Sequence, residues 1–137
     1  MRAIKECDAV KIVHESDVEE KLVPGRYIRW VADEKTLQPK YLSSCIIRVQ
    51  PGETVRPAHA HPEGEELIYI ISGDGHVWID GEIGEIREGS VILFEQGKVH
   101  MVRNSGTEEM KAVCFFAPPT GLENYQMHEG VEFVATK

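Results

Sequence analysis

Short apolar runs broken by turn residues dominate this chain. They occur at 27–32, 42–49, 67–71, 76–80, 91–94, 100–103 and 111–116. Between them stand Pro24-Gly25, Pro51-Gly52, Pro62 and Gly64, Gly73 with Gly75, Asp80-Gly81, Gly97 and Asn104 with Gly106. Glycine and proline punctuate chains because one tolerates positive φ and the other fixes φ and removes a donor. Many short strands at even spacing predict a β-sandwich or barrel. Helical periodicity is scarce, which argues against a parallel α/β sheet. Ser16 followed by Glu19 reads as a capping box that opens one short helical turn before Leu22.

With 137 residues, the chain fits one domain with one core. Its net charge of −8, from 15 Lys+Arg against 23 Asp+Glu, argues against nucleic acid and anionic membranes as partners. The apolar runs are far shorter than the roughly 20 residues of a membrane-spanning helix. The N-terminal sequence carries charges and no apolar signal region, so a cytoplasmic location is expected. Three cysteines, Cys7, Cys45 and Cys114, lie far apart and form no CxxC pair. They predict neither a disulfide framework nor a thiolate zinc site. Cys45 and Cys114, in apolar runs, read as buried strand thiols.

The histidines carry the chemistry. His59 and His61 are one residue apart, so in an extended strand both imidazoles project to the same face. A glutamate follows after Pro62 and Gly64, which interrupt the strand and reset its register. Glu66 shares a face with Ile68 and Ile70, and Glu65 shares the other with Leu67, Tyr69 and Ile71; alternation alone leaves both open. His100 begins a later strand after Gly97. Three neutral imidazoles and a carboxylate suit one divalent transition-metal ion per chain: Mn, Fe, Co, Ni, Cu or Zn. All-oxygen ions such as calcium do not fit this set.

These residues fall into two motifs that resemble those of the cupin superfamily. The first runs Gly52, six residues, His59-Ala60-His61, four residues, Glu66, six residues, Gly73. The second runs Gly89, five residues, Glu95-Gln96-Gly97, two residues, His100, three residues, Asn104. One extra residue before His59 and Glu95 in place of the usual proline are the departures. The resemblance selects Glu66 over Glu65. It implies an all-β, double-stranded β-helix (jelly-roll) barrel with the metal held by His59, His61, Glu66 and His100. It covers about residues 40–118 and makes 1–137 a single cupin domain, with N-terminal strands in 1–39 and a tail at 119–137. Small cupins of this kind are commonly homodimers that share N-terminal strands, for which 27–32 is the expected segment.

Four protein ligands leave open coordination positions, which catalysis requires. The expected function is a metal-dependent enzyme of unspecified reaction. Its substrate would be a small polar metabolite such as a keto acid, diketone or sugar derivative. Dioxygenase, isomerase, decarboxylase and lyase chemistries all fit the resemblance. The alternative is a non-catalytic small-molecule sensor or carrier; a DNA-binding regulator is disfavoured for lack of a helix-turn-helix or basic face. Glu95 is a candidate for proton transfer. Arg48 is a candidate for gripping a substrate carboxylate, against the ordinary reading that it pairs with one of the many acids. His14, His76 and His128 have no partner at ligand spacing, and Trp30 and Trp78 read as packing residues.

Overall fold

The computed structural model describes residues 9–136; Cys7 lies outside them. Eleven strands, β1 to β11, form two antiparallel sheets. The six-stranded sheet has the order β1 (Lys21–Val23), β2 (Arg26–Ala32), β3 (Ser43–Val49), β10 (Met110–Ala117), β5 (Glu65–Ser72), β8 (Val91–Phe94). The five-stranded sheet has the order β11 (Gln126–His128), β4 (Ala58–Ala60), β9 (His100–Asn104), β6 (Asp74–Ile79), β7 (Glu82–Arg87). Strands distant in sequence are neighbours, as in a jelly roll.

Alternation of side chains explains which face each strand buries. In β5, Glu66, Ile68 and Ile70 are buried, whereas Glu65, Leu67, Tyr69 and Ile71 are exposed. In β10, Met110, Ala112, Cys114 and Phe116 point inward. They meet Ile28, Cys45, Ile47, Val77, Val102 and Phe94 in one continuous core. Each such buried Ile or Phe side chain contributes about 1.5–3 kcal/mol of transfer free energy. Asn104 closes the second motif structurally: its amide donates to the Val49 and Glu108 carbonyls, both at 2.8 Å, and its Oδ1 accepts from Gly106 N at 2.9 Å.

Two expectations need correction. The helical turn is a 3-10 turn at Glu15–Asp17, and its cap is His14, whose Nδ1 accepts from Ser16 N. The segment around 27–32 is not a free edge awaiting another chain: β2 pairs with β1 on one side and β3 on the other. Two strands were unforeseen. β7 is an edge strand in which only Ile86 is buried, so its sequence lacks an apolar face. It joins β6 through Asp80 and Gly81, both at positive φ, the residues a two-residue hairpin demands.

The tail does return to the barrel. β11 adds to the edge of β4. Val131 and Phe133 then cover Trp78, Met101 and Ala58 on the outer face of the five-stranded sheet. The Trp78 indole donates to the Val134 carbonyl at 2.7 Å. Among the described residues, no helix is long and apolar enough to cross a membrane.

Candidate metal centre

β4 and β9 are antiparallel neighbours in which His59 pairs with His100. His61 follows β4 by one residue, on the same side as His59. Glu66 reaches the same point from β5 in the opposite sheet. The intervening loop must turn tightly beneath the chain at 117–118: a Cβ on Gly64 would lie 2.4 Å from the Ala117 carbonyl oxygen. The sheets thus carry three imidazoles and one carboxylate to a single point. The four residues are buried, and one donor atom from each lies within 4.8 Å of the others. A coordination sphere with bonds of about 2.1 Å is about 4 Å across, so the group is close to the size one ion needs.

The ring orientations fit an ion as well. His59 Nδ1 faces the Pro57 carbonyl at 3.2 Å, and His100 Nδ1 faces the Lys98 carbonyl at 3.0 Å. Donation there leaves the Nε2 lone pair of each ring facing inward, and a carbonyl holding the other ring nitrogen is the arrangement that orients metal-binding histidines. His100 Nε2 is buried without a hydrogen-bond partner. It sits 3.3 Å from Glu66 Oε1, too poorly aligned to be satisfied by it. His61 Nε2 is 2.9 Å from the same oxygen. An inward-facing nitrogen with no partner is what a cation would satisfy.

Electrostatics favour the ligating forms. Burial pushes the His59 imidazole down to about 3, with His100 adding to the effect, so His59 is neutral at physiological pH. Burial alone would raise Glu66, but the His100 and His61 rings beside it outweigh that and hold the carboxylate well below its usual range. The rings are held by packing. Phe94 stacks on His100 with centroids 3.9 Å apart and planes 4° from parallel. Tyr125 stacks on His59 at 4.7 Å and meets His61 edge-on at 4.5 Å.

A small cavity with an open mouth lies beside the cluster. His59, Glu66 and His100 form part of its wall, and Ile47, Ile68, Val102 and Phe116 give it an apolar lining. Cys45 and Cys114 also line it and lie opposite each other in β3 and β10. A hydrogen bond with Cys45, together with burial, pushes the Cys114 thiol well above its ordinary range, so it is not a thiolate nucleophile.

The other candidates stand elsewhere. Arg48 lies on the outer face of β3, where it pairs with Glu20 at 2.7 Å and with Glu109. Glu95 is exposed in the turn after β8 and is not part of the cavity wall. His76 is bonded to Ser105 on the surface at 2.7 Å. Two cavity residues went unforeseen. Tyr125 comes from the tail and is placed by the turn before β11. Arg26 is the first residue of β2, and its signal was present in sequence: it shares the inward parity of Ile28, where a charge is out of place.

Comparison with known proteins agrees with this architecture. The family model described as Cupin domain matches residues 45–116. An uncharacterized protein of Methanocaldococcus jannaschii is 31% identical over 71 residues, covering 52% of this chain and 57% of that one. The L-ectoine synthase of Alkalilimnicola ehrlichii is 39% identical over 61 residues, covering 42% of this chain and 46% of that one. The chain spans about half the length of the curated relatives it matches. Among solved structures, the polyketide cyclase RemF from Streptomyces resistomycificus superposes with a TM-score of 0.72 at 20% identity. That superposition covers 90% of this chain and 88% of the cyclase.

Proposed function

This chain belongs to the cupin family, and from that premise we propose that it is a metal-dependent enzyme whose ion is held by His59, His61, Glu66 and His100. One observation carries the reading: three of the four donor residues, His59, Glu66 and His100, form part of the wall of a cavity. A structural metal site uses up its coordination positions, whereas a catalytic site keeps some facing a pocket. A divalent transition-metal ion there would supply Lewis-acid polarisation of a substrate oxygen. The substrate is a small polar metabolite such as a keto acid, a diketone or a sugar derivative. A relative named L-ectoine synthase supports an enzymatic reading over a carrier.

The chain's own residues supply the remainder of the site. Ile47, Ile68, Val102 and Phe116 exclude water from the cavity and so strengthen electrostatic contacts within it. Burial pushes the Tyr125 hydroxyl well above its ordinary range, so at neutral pH it carries its proton and can donate a hydrogen bond to a substrate oxygen. Phe94 and the Lys98 carbonyl fix the His100 ring.

The test is metal analysis followed by turnover. The purified protein should carry about one ion per chain, and the His59→Ala/His61→Ala double variant none. Chelation should leave the β-type circular dichroism intact, because the core does not run through the ion. It should abolish any turnover found among keto acids, diketones and sugar derivatives, with recovery when one metal is restored. Equal metal content in the double variant refutes the site. A folded, metal-loaded protein that turns over none of these classes favours the sensor or carrier.

We also propose a homodimer, in which a second copy covers the outer face of the six-stranded sheet. Leu67, Tyr69, Val91, Leu93 and Phe115 are exposed there. Register makes them neighbours: Leu67 is opposite both Phe115 and Leu93, and Tyr69 is opposite Val91. A contiguous apolar face of this kind is unusual on a monomer.

A further inference from the structure

Arg26 is a cation in an apolar wall. Only 6% of the residue is exposed, and its neighbours around the cavity are Ile28, Ile47, Val55 and Cys45. Its place is fixed by the backbone. Gly25 before it holds φ at +84°, and a Cβ there would lie 1.9 Å from the Thr54 carbonyl oxygen. The turn therefore admits little but glycine and starts β2 with Arg26 facing inward.

The guanidinium carries a positive charge and has five N–H donors in a planar fork. One donor is accounted for, Nη1 to the Pro24 carbonyl at 3.0 Å. Among the described residues, no carboxylate lies within 4.0 Å of it, whereas Arg29, Arg48 and Arg56 each pair with one. Burying an unpaired charge is costly, and proteins rarely retain one without use. The same cavity is walled by His59, Glu66 and His100. A divalent ion on one carboxylate and three neutral imidazoles keeps a net positive charge, and Arg26 adds another. The cavity is then complementary to an anion.

We propose that Arg26 anchors a carboxylate of the substrate, so that the cavity takes a small carboxylic acid whose reacting end lies toward the histidine cluster and whose charged end lies on the guanidinium. The planar fork of arginine matches a carboxylate through two parallel hydrogen bonds. The apolar walls suit the carbon skeleton between the two ends. This rests on reading the cavity as a substrate site, and it narrows the substrate classes named above to the keto acids and related carboxylates. Diketones and uncharged sugars offer Arg26 no anion. Arg48, the candidate that sequence put forward for this role, is engaged by Glu20 and Glu109 on the opposite face of its sheet.

The experiment compares pyruvate with pyruvamide, which share the carbonyl and differ in charge. Titration calorimetry on metal-loaded protein at neutral pH is run for the wild type, Arg26→Gln and Arg26→Lys, with metal content measured on each. Wild type should bind pyruvate roughly 10- to 100-fold tighter than pyruvamide, as expected for charge-assisted hydrogen bonds. Arg26→Gln should erase that preference with one metal per chain retained. Should Arg26→Gln fail to fold, Arg26→Lys decides: losing the fork should weaken pyruvate several-fold and leave pyruvamide unchanged. A preference that survives Arg26→Gln, an Arg26→Lys without selective weakening of pyruvate, or a wild type that binds neither probe or both equally overturns the assignment. The two readings separate cleanly. Acid preference in a protein that holds no metal keeps Arg26 as the anchor and removes the metal centre; a metal-loaded protein without the preference does the reverse.

Discussion

Lowering the pH should destabilise the metal-free protein through His59, and the size of the effect follows from its burial. The ring sits among Tyr125, His61 and His100, and its folded-state value is about 3 against 6.5 when free. Above pH 6.5 the ring is neutral in both folded and unfolded chains, and protonation costs the fold nothing. Below 6.5 the unfolded chain binds a proton that the folded chain refuses. Stability then falls by about 1.4 kcal/mol for each pH unit until the folded ring itself titrates near 3. At pH 4.5 the loss is about 2.7 kcal/mol, a large fraction of the 5–15 kcal/mol typical of a domain. Glu66 acts in the same direction but at lower pH. Its carboxyl is held below the ordinary value of 4.5, so its contribution is lost only as pH falls beneath that value. The interval from 6.5 to 4.5 therefore reads the His59 contribution ahead of that of Glu66.

Urea unfolding of chelator-treated protein across that interval measures the slope directly. His59→Gln, which cannot titrate, should flatten it by about one proton's worth. Metal should oppose the effect in the upper part of the interval, because an ion at 100 times its dissociation constant adds about 2.7 kcal/mol. A metal-free protein whose stability is level from 6.5 to 4.5 would refute the buried, neutral imidazole. So would a slope that survives unchanged in His59→Gln.

Other consequences are direct. Leu93→Glu, on the exposed outer face, should shift the protein from dimer to monomer in light scattering at micromolar concentration, with circular dichroism unchanged; a wild-type monomer contradicts the dimer outright. Phe94→Ala removes the ring stacked on His100 and a core side chain, and should cost about 3–5 kcal/mol in urea unfolding and weaken metal binding. Gly25→Ala places a methyl against the Thr54 carbonyl at positive φ, and should lower stability by more than 1 kcal/mol. Tyr125→Phe keeps the ring against His59 and removes only the hydroxyl, so metal content should be retained while turnover of an accepted substrate falls.

How much of this was legible in the sequence depends on how local each signal is. The His59–His61 pair needed only strand alternation, and the buried thiols needed only their apolar neighbours. Glu66 was harder. Alternation identified the face it shares with Ile68 and Ile70, but whether that face looked inward depended on a loop whose path is set by Gly64 lying under Ala117, 53 residues on. The family pattern supplied what the local pattern lacked. β7 escaped because an edge strand with one buried side chain has no apolar alternation to read. β11 escaped because its three residues are strand only by virtue of pairing with β4.

The same distinction explains why the residues least visible in sequence shape the cavity most. Both cupin motifs lie between Gly52 and Asn104, and they specify the metal cluster. Arg26 enters from a strand ahead of them and Tyr125 from a segment behind them, and the two join the cluster only after long-range sheet pairing is complete. A common cluster combined with walls drawn from outside the motifs is how one fold can serve many reactions. On the proposed reading, what the cavity accepts is set by Arg26 and Tyr125 more than by the histidines. A cation in the cavity wall and a protonated hydroxyl on the ring stacked against His59 are what the proposed reading rests on in favouring an acid with an oxygen function next to its carboxylate over a neutral molecule of the same size.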